Sequence, residues 1–150
     1  MKSEYISLDN LEEEQKENTV EWWKEKNVFF GSFYLDAANV NQEQNFKERT
    51  CVESEGIISL LKLKSGMKLL DCPCGHGRHS NYLAEKGIDV VGGDINNYFL
   101  NEANEQAKKM KLNTSFQRMN MLDINYTNEF DAIINILFSF ACFLKDEENF

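Results

Sequence analysis

The sequence lacks a basic surplus. Its 150 residues hold 16 Lys and Arg against 25 Asp and Glu, a formal net charge of -9. A nucleic-acid binder presents a basic face to the phosphates, and an acidic chain has no such footprint. The lysines of "AKKMK", Ala107 to Lys111, read as one side of a solvated helix. Nucleic acid is therefore not an expected partner. A long hydrophobic run is lacking too. Ala132 to Leu144 is the longest, is interrupted by Asn135 and Ser139, and falls short of the roughly 20 apolar residues that span a bilayer. The membrane is not an expected partner either. The opening stretch "MKSEYISLDNLEEEQKEN" is polar and acidic, unlike a signal or transit peptide. The 4 cysteines, in a chain without a secretory pattern, are expected to stay reduced, which points to the cytoplasm. Histidine and proline are scarce: 2 His and 1 Pro, and all three fall in "LLDCPCGHGRHS", Leu69 to Ser80.

What is present suits one globular domain: 42% hydrophobic residues for a core and 27% charged residues for a surface. Residues 9–27 read as a helix, with Asp9 as N-cap and glutamates in the first turn. A dense aromatic cluster follows, from Trp22 and Trp23 to Phe33 and Tyr34. Most of it is expected to pack this segment onto the domain. Tyr34 is a candidate substrate contact, because its hydroxyl can serve a ligand. We divide the chain into an N-terminal helical segment, 1–45, and a main unit, 46–150.

In the main unit, Phe46 to Leu63 predicts a helix with Val52, Ile57, Leu60 and Leu61 on its apolar face, stopped by "KSG". The period then shortens. Strands are expected at Met67–Asp71, Ile88–Asp94, Asn113–Met119 and Phe130–Phe138, with helices at Gly77–Gly87 and Asn97–Lys111. Gly87 suits the C′ position of its helix. The unbroken apolar run of the fourth strand suits a central parallel strand. Alternation of this kind predicts an α/β fold: a doubly wound, Rossmann-like parallel sheet with helices on both faces. Right-handed crossovers place all strand C-termini on one edge, where ligands bind. Asp71, Asp94 and Asn120 each sit at or just beyond a strand end and should converge there.

"LLDCPCGHGRHS" supports three readings. Cys72, Cys74, His76 and His79 are all metal-ligand types. Structural zinc sites, however, pair ligands across a longer loop, and these four crowd into one strand-to-helix turn. We expect no metal, with Cys72 and Cys74 as small residues of a tight turn. Gly75-His76-Gly77-Arg78-His79-Ser80 also approximates the dinucleotide pattern G-x-G-x-x-G, and Asp94 lies nineteen positions after Gly75, near the usual acidic ribose ligand. Against NAD stands Asp71, whose carboxylate would repel a pyrophosphate. S-adenosylmethionine reverses that sign. It carries no phosphate but a cationic amino group and a sulfonium, which Asp71 would favour. The amides of the turn and the following helix N-terminus can face its carboxylate.

On these residues the chain resembles the class I S-adenosylmethionine-dependent methyltransferases of the bacterial small-molecule type. The resemblance runs through "LLDCPCGHGRHS", "VVGGDINNYFL", "FQRMNMLDI" and "FDAIINILFSFACF", about residues 46 to 146, and takes in "EWWKEKNVFFGSFYL" and "ERT" upstream. In the family's D-x-G-x-G-x-G motif, Asp71, Gly75 and Gly77 match and Pro73 replaces the first glycine, removing one amide donor. The resemblance implies a cofactor cradle of Asp71, Cys72, Gly75 and Gly77. It implies Asp94 on the ribose hydroxyls, Ile95 on the adenine face, and Met121 presenting its backbone amide to the ring. Asn120 falls where the family has an aspartate for the adenine amino group; Asp123 takes that place if the loop is shifted.

The implied activity is methyl transfer from S-adenosylmethionine to a small molecule. Positioning alone supplies about 7–11 kcal/mol in such reactions. No general base is evident: His76 in the turn could approach the cofactor, and His79 is expected in helix packing. The family's loop after the fourth strand, Ser139 to Phe143 here, offers no strong acid or base. The rival reading is a cofactor-binding module without turnover, or a partial domain that needs a partner. Family members continue through roughly three more strands, so these residues match the first four strands of the domain. We expect the fourth strand to be covered, by a C-terminal segment or by self-association.

Overall fold

The computed structural model describes the backbone of residues 32–136 and the side chains of residues 46–136. The expected helix 9–27 and the Ser139–Phe143 loop lie outside these residues. Helix α1 is Ser32–Leu61, followed by β1 Lys68–Asp71, α2 Arg78–Glu85, β2 Asp89–Asp94, α3 Asn97–Met110, β3 Ser115–Arg118 and β4 Ala132–Ile134. The four strands form one parallel sheet in the order β3-β2-β1-β4. Two consecutive crossovers run one way from β1, and the return to β4 crosses to its other side. β1 is therefore the strand where the order reverses, and its carboxyl end opens the crevice of such folds.

Every expected element in this region is present, but α1 differs from expectation in extent and face. It begins at Ser32 rather than Phe46, and one unbroken helix crosses the proposed division at position 45. The stretch "NVNQEQN" carries no apolar period to announce it. The helix ends at Leu61, where Lys62 turns left-handed and the Leu63 amide bonds back to Ile58 O at 3.0 Å. Leu63 thereby enters the core. Val52 and Leu60, expected on the buried face, are 72% and 82% exposed. Ile57 does turn to the core as expected, and the rest of the inward face is Thr50 and Ser54, one helical turn apart along the helix. Small polar side chains let α1 approach α2 closely, a signal that apolar periodicity misses.

The core joins Leu69 and Val90 of the sheet to Leu63, Leu83, Ile88 and Ile134. α2 packs on α1, α3 and β2, and α3 packs on β2 and β3. α2 ends as the sequence predicts. Gly87 is left-handed, its amide bonds Ala84 O, and Ile88 N bonds Leu83 O. β4 is shorter than the apolar run around it. It stands at the border of the described sheet, with Ile133 61% exposed.

Candidate functional site

The carboxyl ends of β1 and β2 hold the site. Asp71 closes β1 and is 2% exposed. Ser80, two residues into α2, donates its hydroxyl to Asp71 Oδ2 at 2.5 Å. Burial pushes the Asp71 carboxyl up to about 7; the Ser80 bond pulls it down, Asp94 raises it further, and Arg78 opposes that. A carboxylate so poised is stabilised by any cation brought to it.

Between β1 and α2 the chain makes the turn Cys72 to Gly77. The Cys74 amide bonds Gly93 O at 2.8 Å, and Cys72 N bonds Ile134 O at 3.1 Å, so the turn is strapped to both neighbours of β1. Gly75 and Gly77 are both left-handed, with φ of 54° and 75°. Their surroundings differ. A Cβ on Gly77 would lie 2.6 Å from Ala103 Cβ and 2.9 Å from the Phe116 ring. Gly77 is thus the close approach of the turn to α3 and β3. A Cβ on Gly75 would meet nothing within 4 Å. Gly75 therefore faces open space, and a ligand can approach its backbone there.

Asp94, at the end of β2, is buried and reaches back to this turn. Its Oδ2 accepts from Gly75 N and its Oδ1 from Asn96 N, both at 2.8 Å. Burial raises its pKa, against the lowering effect of the amides of Asn96, Gly75 and Ile95. The two oxygens together offer about four lone pairs, so the carboxylate keeps room for a ligand hydroxyl beside these amides. Ile95 follows, half-buried. Asn96 then caps α3, accepting from Tyr98 N at 3.0 Å.

Asn120 and Met121 lie on the loop after β3. The Met119 amide ties that loop to Asp94 O at 2.9 Å. Asn120 works within its own loop: Oδ1 accepts from Leu122 N at 3.1 Å and Nδ2 donates to Asp123 Oδ2 at 3.2 Å. The Met121 sulfur accepts from Asn135 Nδ2 at 3.7 Å, linking the loop to the residue after β4. Asp71, Cys72, Gly75, Gly77, Asp94 and Ile95 thus share one edge, with Asn120 and Met121 on the adjoining loop. Tyr34 falls on α1, ahead of the described side chains.

The two histidines diverge. His76 sits between the Phe46 and Phe99 rings, each centroid 6.1 Å away, and burial lowers its pKa to about 4. His79 turns to Glu53, with Nε2 3.0 Å from Oε2. Burial pushes the Cys72 thiol up to about 12 and the Cys74 thiol higher still. Among the described residues no three His, Cys, Asp or Glu side chains are grouped to hold a metal ion. Reading the sequence missed Ser80 as the partner of Asp71 and Asn96 as the residue that braces Asp94. Asn96 carried a signal, an N-cap residue directly before a helix.

Comparison with known proteins bears on the family and the fold. The family described as "Methyltransferase domain" matches residues 69–149. The chain is 33% identical over 85 residues to a probable S-adenosyl-L-methionine-dependent methyltransferase TehB of Haemophilus influenzae (strain 10810), covering 56% of this chain and 30% of that protein. It is 32% identical over 106 residues to a glycine/sarcosine N-methyltransferase of Parasynechococcus marenigrum, covering 69% and 38%. The solved structure of PH0226 from Pyrococcus horikoshii OT3 superposes with a TM-score of 0.56 at 27% identity, covering 63% of this chain and 44% of that one. The chain spans 30% and 38% of the two curated relatives' length.

Proposed function

The chain belongs to the methyltransferase domain family, and on that premise we propose that it binds S-adenosylmethionine at the carboxyl edge of its sheet and serves methyl transfer to a small-molecule acceptor. The observation that carries this reading is the pairing of Gly75 with Asp94 beside the buried Asp71. Open space at Gly75 admits a ligand, and a buried carboxyl there suits a cationic one better than a pyrophosphate. On this reading Asp71 attracts the amino group, and the amides of the Cys72–Gly77 turn take the carboxylate. Asp94 takes the ribose hydroxyls, Ile95 packs on the adenine, and Asn120 and Met121 meet its edge. When bound, the cofactor supplies an electrophilic methyl group. The protein's share is then to align the acceptor and exclude water. We assign no general base, since His76 and His79 are both engaged with neighbours. Tyr34 is proposed on the acceptor side, within an N-terminal segment 1–45 that precedes the binding unit 46–150.

A small acceptor fits the acidic charge, and a cytoplasmic location fits cysteines expected to stay reduced. Among the described residues no helix is long and apolar enough to cross a membrane. A second reading draws on β4. With Ile133 exposed at the border of the described sheet, these residues serve as a cofactor-binding unit completed by a further segment or by a second copy. Titration calorimetry with S-adenosylmethionine, S-adenosylhomocysteine and NAD tests the binding. The first two should bind and NAD should not; NAD binding alone would overturn the proposal. A methyl-transfer screen then separates an enzyme from a binding unit.

A further inference from the structure

Arg78 and His79, the two residues that follow the glycine turn, end on a single side chain of α1. Glu53 Oε2 lies 2.6 Å from Arg78 Nη2 and 3.0 Å from His79 Nε2, and its Oε1 accepts from Arg49 Nε at 2.9 Å. Arg78 Nη1 donates to Thr50 Oγ1 at 3.0 Å, and Thr50 donates onward to Phe46 O at 2.8 Å. The guanidinium lies over the Phe46 ring, 5.2 Å from its centroid. That same ring meets His76, inside the turn, at 6.1 Å. α1 therefore touches the turn at His76 and grips the helix directly behind it.

Such a grip is a poor choice for stability alone. The Arg78 side chain is 12% exposed and that of Glu53 28%. Desolvating both charges offsets much of their attraction, and apolar side chains would hold two helices as firmly. What an ion pair adds is register. The planar Arg78 fork meets Glu53 and Thr50 in set directions, which a lysine or a leucine could not do. Sliding α1 by one turn would break both contacts and carry Phe46 off His76.

We infer that Glu53 is a positioning residue for the cofactor cradle: acting through Arg78 and His79, it holds α1 in the register that sets Phe46 against His76, and so keeps the Gly75–Gly77 turn in its binding shape. The inference rests on the cofactor reading above.

Calorimetric titration with S-adenosylhomocysteine tests it on the wild-type chain, Glu53→Gln, Arg78→Gln and the double variant, at a temperature where circular dichroism shows all four folded. Each single variant should weaken binding about tenfold, as coupled contact residues do. The double variant should be no weaker than the worse single, because each single variant already breaks the Arg78–Glu53 pair on which the register depends. Dissociation constants within about twofold of wild type, with only the melting temperature lowered, would make Glu53 a fold staple and overturn the inference. Additive losses would overturn it too, since the two residues would then act separately. If Glu53→Gln does not fold, Thr50→Val leaves Glu53 in place and removes the second acceptor of Arg78, together with the Thr50 bond to Phe46 O. It should weaken binding by about threefold, and an unchanged constant refutes the inference. A wild-type chain that binds nothing refutes the cofactor reading and this inference with it. Wild-type binding with unaltered variants refutes this inference alone.

Discussion

The amide of Gly75 donates to Asp94 Oδ2 at 2.8 Å, joining the turn after β1 to the end of β2 across nineteen positions. The carboxylate proposed to hold a ligand's ribose thus also shapes the turn proposed to hold its other end. Loss of either residue should be felt at both.

Asp94→Ala should weaken S-adenosylmethionine binding by about 1.5–3 kcal/mol, the usual cost of hydrogen bonds to a charged group. Asp94→Asn keeps an acceptor for one of the two amides and should lose less. Calorimetry checks both, and an unaltered dissociation constant in the alanine variant would remove Asp94 from the site.

The two glycines should separate binding from stability. Gly77→Ala forces a Cβ to within 2.6 Å of Ala103 Cβ, so it should destabilise the fold by about 1–3 kcal/mol from overpacking, beyond the left-handed strain. Gly75→Ala meets no neighbour and should cost the fold only about 1–2 kcal/mol of that strain. It should nevertheless lose most of its cofactor affinity. Denaturant melts and titrations on both variants decide it; equal effects on stability would contradict the packing difference.

Asp71 and Glu53 should give opposite pH dependences. The folded Asp71 carboxyl is raised to about 7 from 3.8, so the unfolded chain releases this proton first as pH rises. Its contribution to stability therefore falls from about pH 4 to 7 and is flat above. Burial pushes Glu53 up, but hydrogen bonds from Arg78, Arg49 and His79 outweigh it and hold the carboxyl at about 2. Its contribution is present above about pH 4.5 and fades as pH drops toward 2. Asp71→Asn should gain stability relative to wild type between pH 5 and pH 7.5 in urea melts. A constant difference across that range would show that Asp71 titrates normally.

Cys72 and Cys74 should stay unreactive in the folded protein, because burial keeps both thiols protonated at neutral pH. Peptide mapping after brief iodoacetamide treatment should find the peptide bearing both cysteines unlabelled. Protein purified without a histidine tag should contain no stoichiometric zinc by elemental analysis. Zinc at one equivalent, lost together with the fold on chelation, would replace the cofactor cradle by a metal site.

The exposed side of β4 leads to an expectation about association. Light scattering on the 150-residue chain should report a mass above 17.4 kDa at micromolar concentration, and Ile133→Lys should lower it. A stable monomer in both cases would argue against association through this strand.

The alternation of strands and helices, and the acidic and glycine residues at two strand ends, were legible in the sequence; the strand order β3-β2-β1-β4 came from the fold. The legible signals are local. Apolar periods, a C′ glycine and an aspartate after an apolar run are set within a few residues. Only the tertiary structure decided what each site residue touches. Gly75 and Gly77 look alike in the sequence, yet one faces open space and the other the Phe116 ring. His76 and His79 are equivalent as letters, yet one packs between aromatic rings and the other bonds α1. The Thr50–Ser54 face of α1 was illegible because these inward side chains are small and polar, fitted to the approach of α2 rather than to hydrophobicity. Ser80 and Glu53 gained their roles the same way, across 9 residues to Asp71 and 26 to His79. Contacts of that range follow from how the chain closes, which no local pattern encodes.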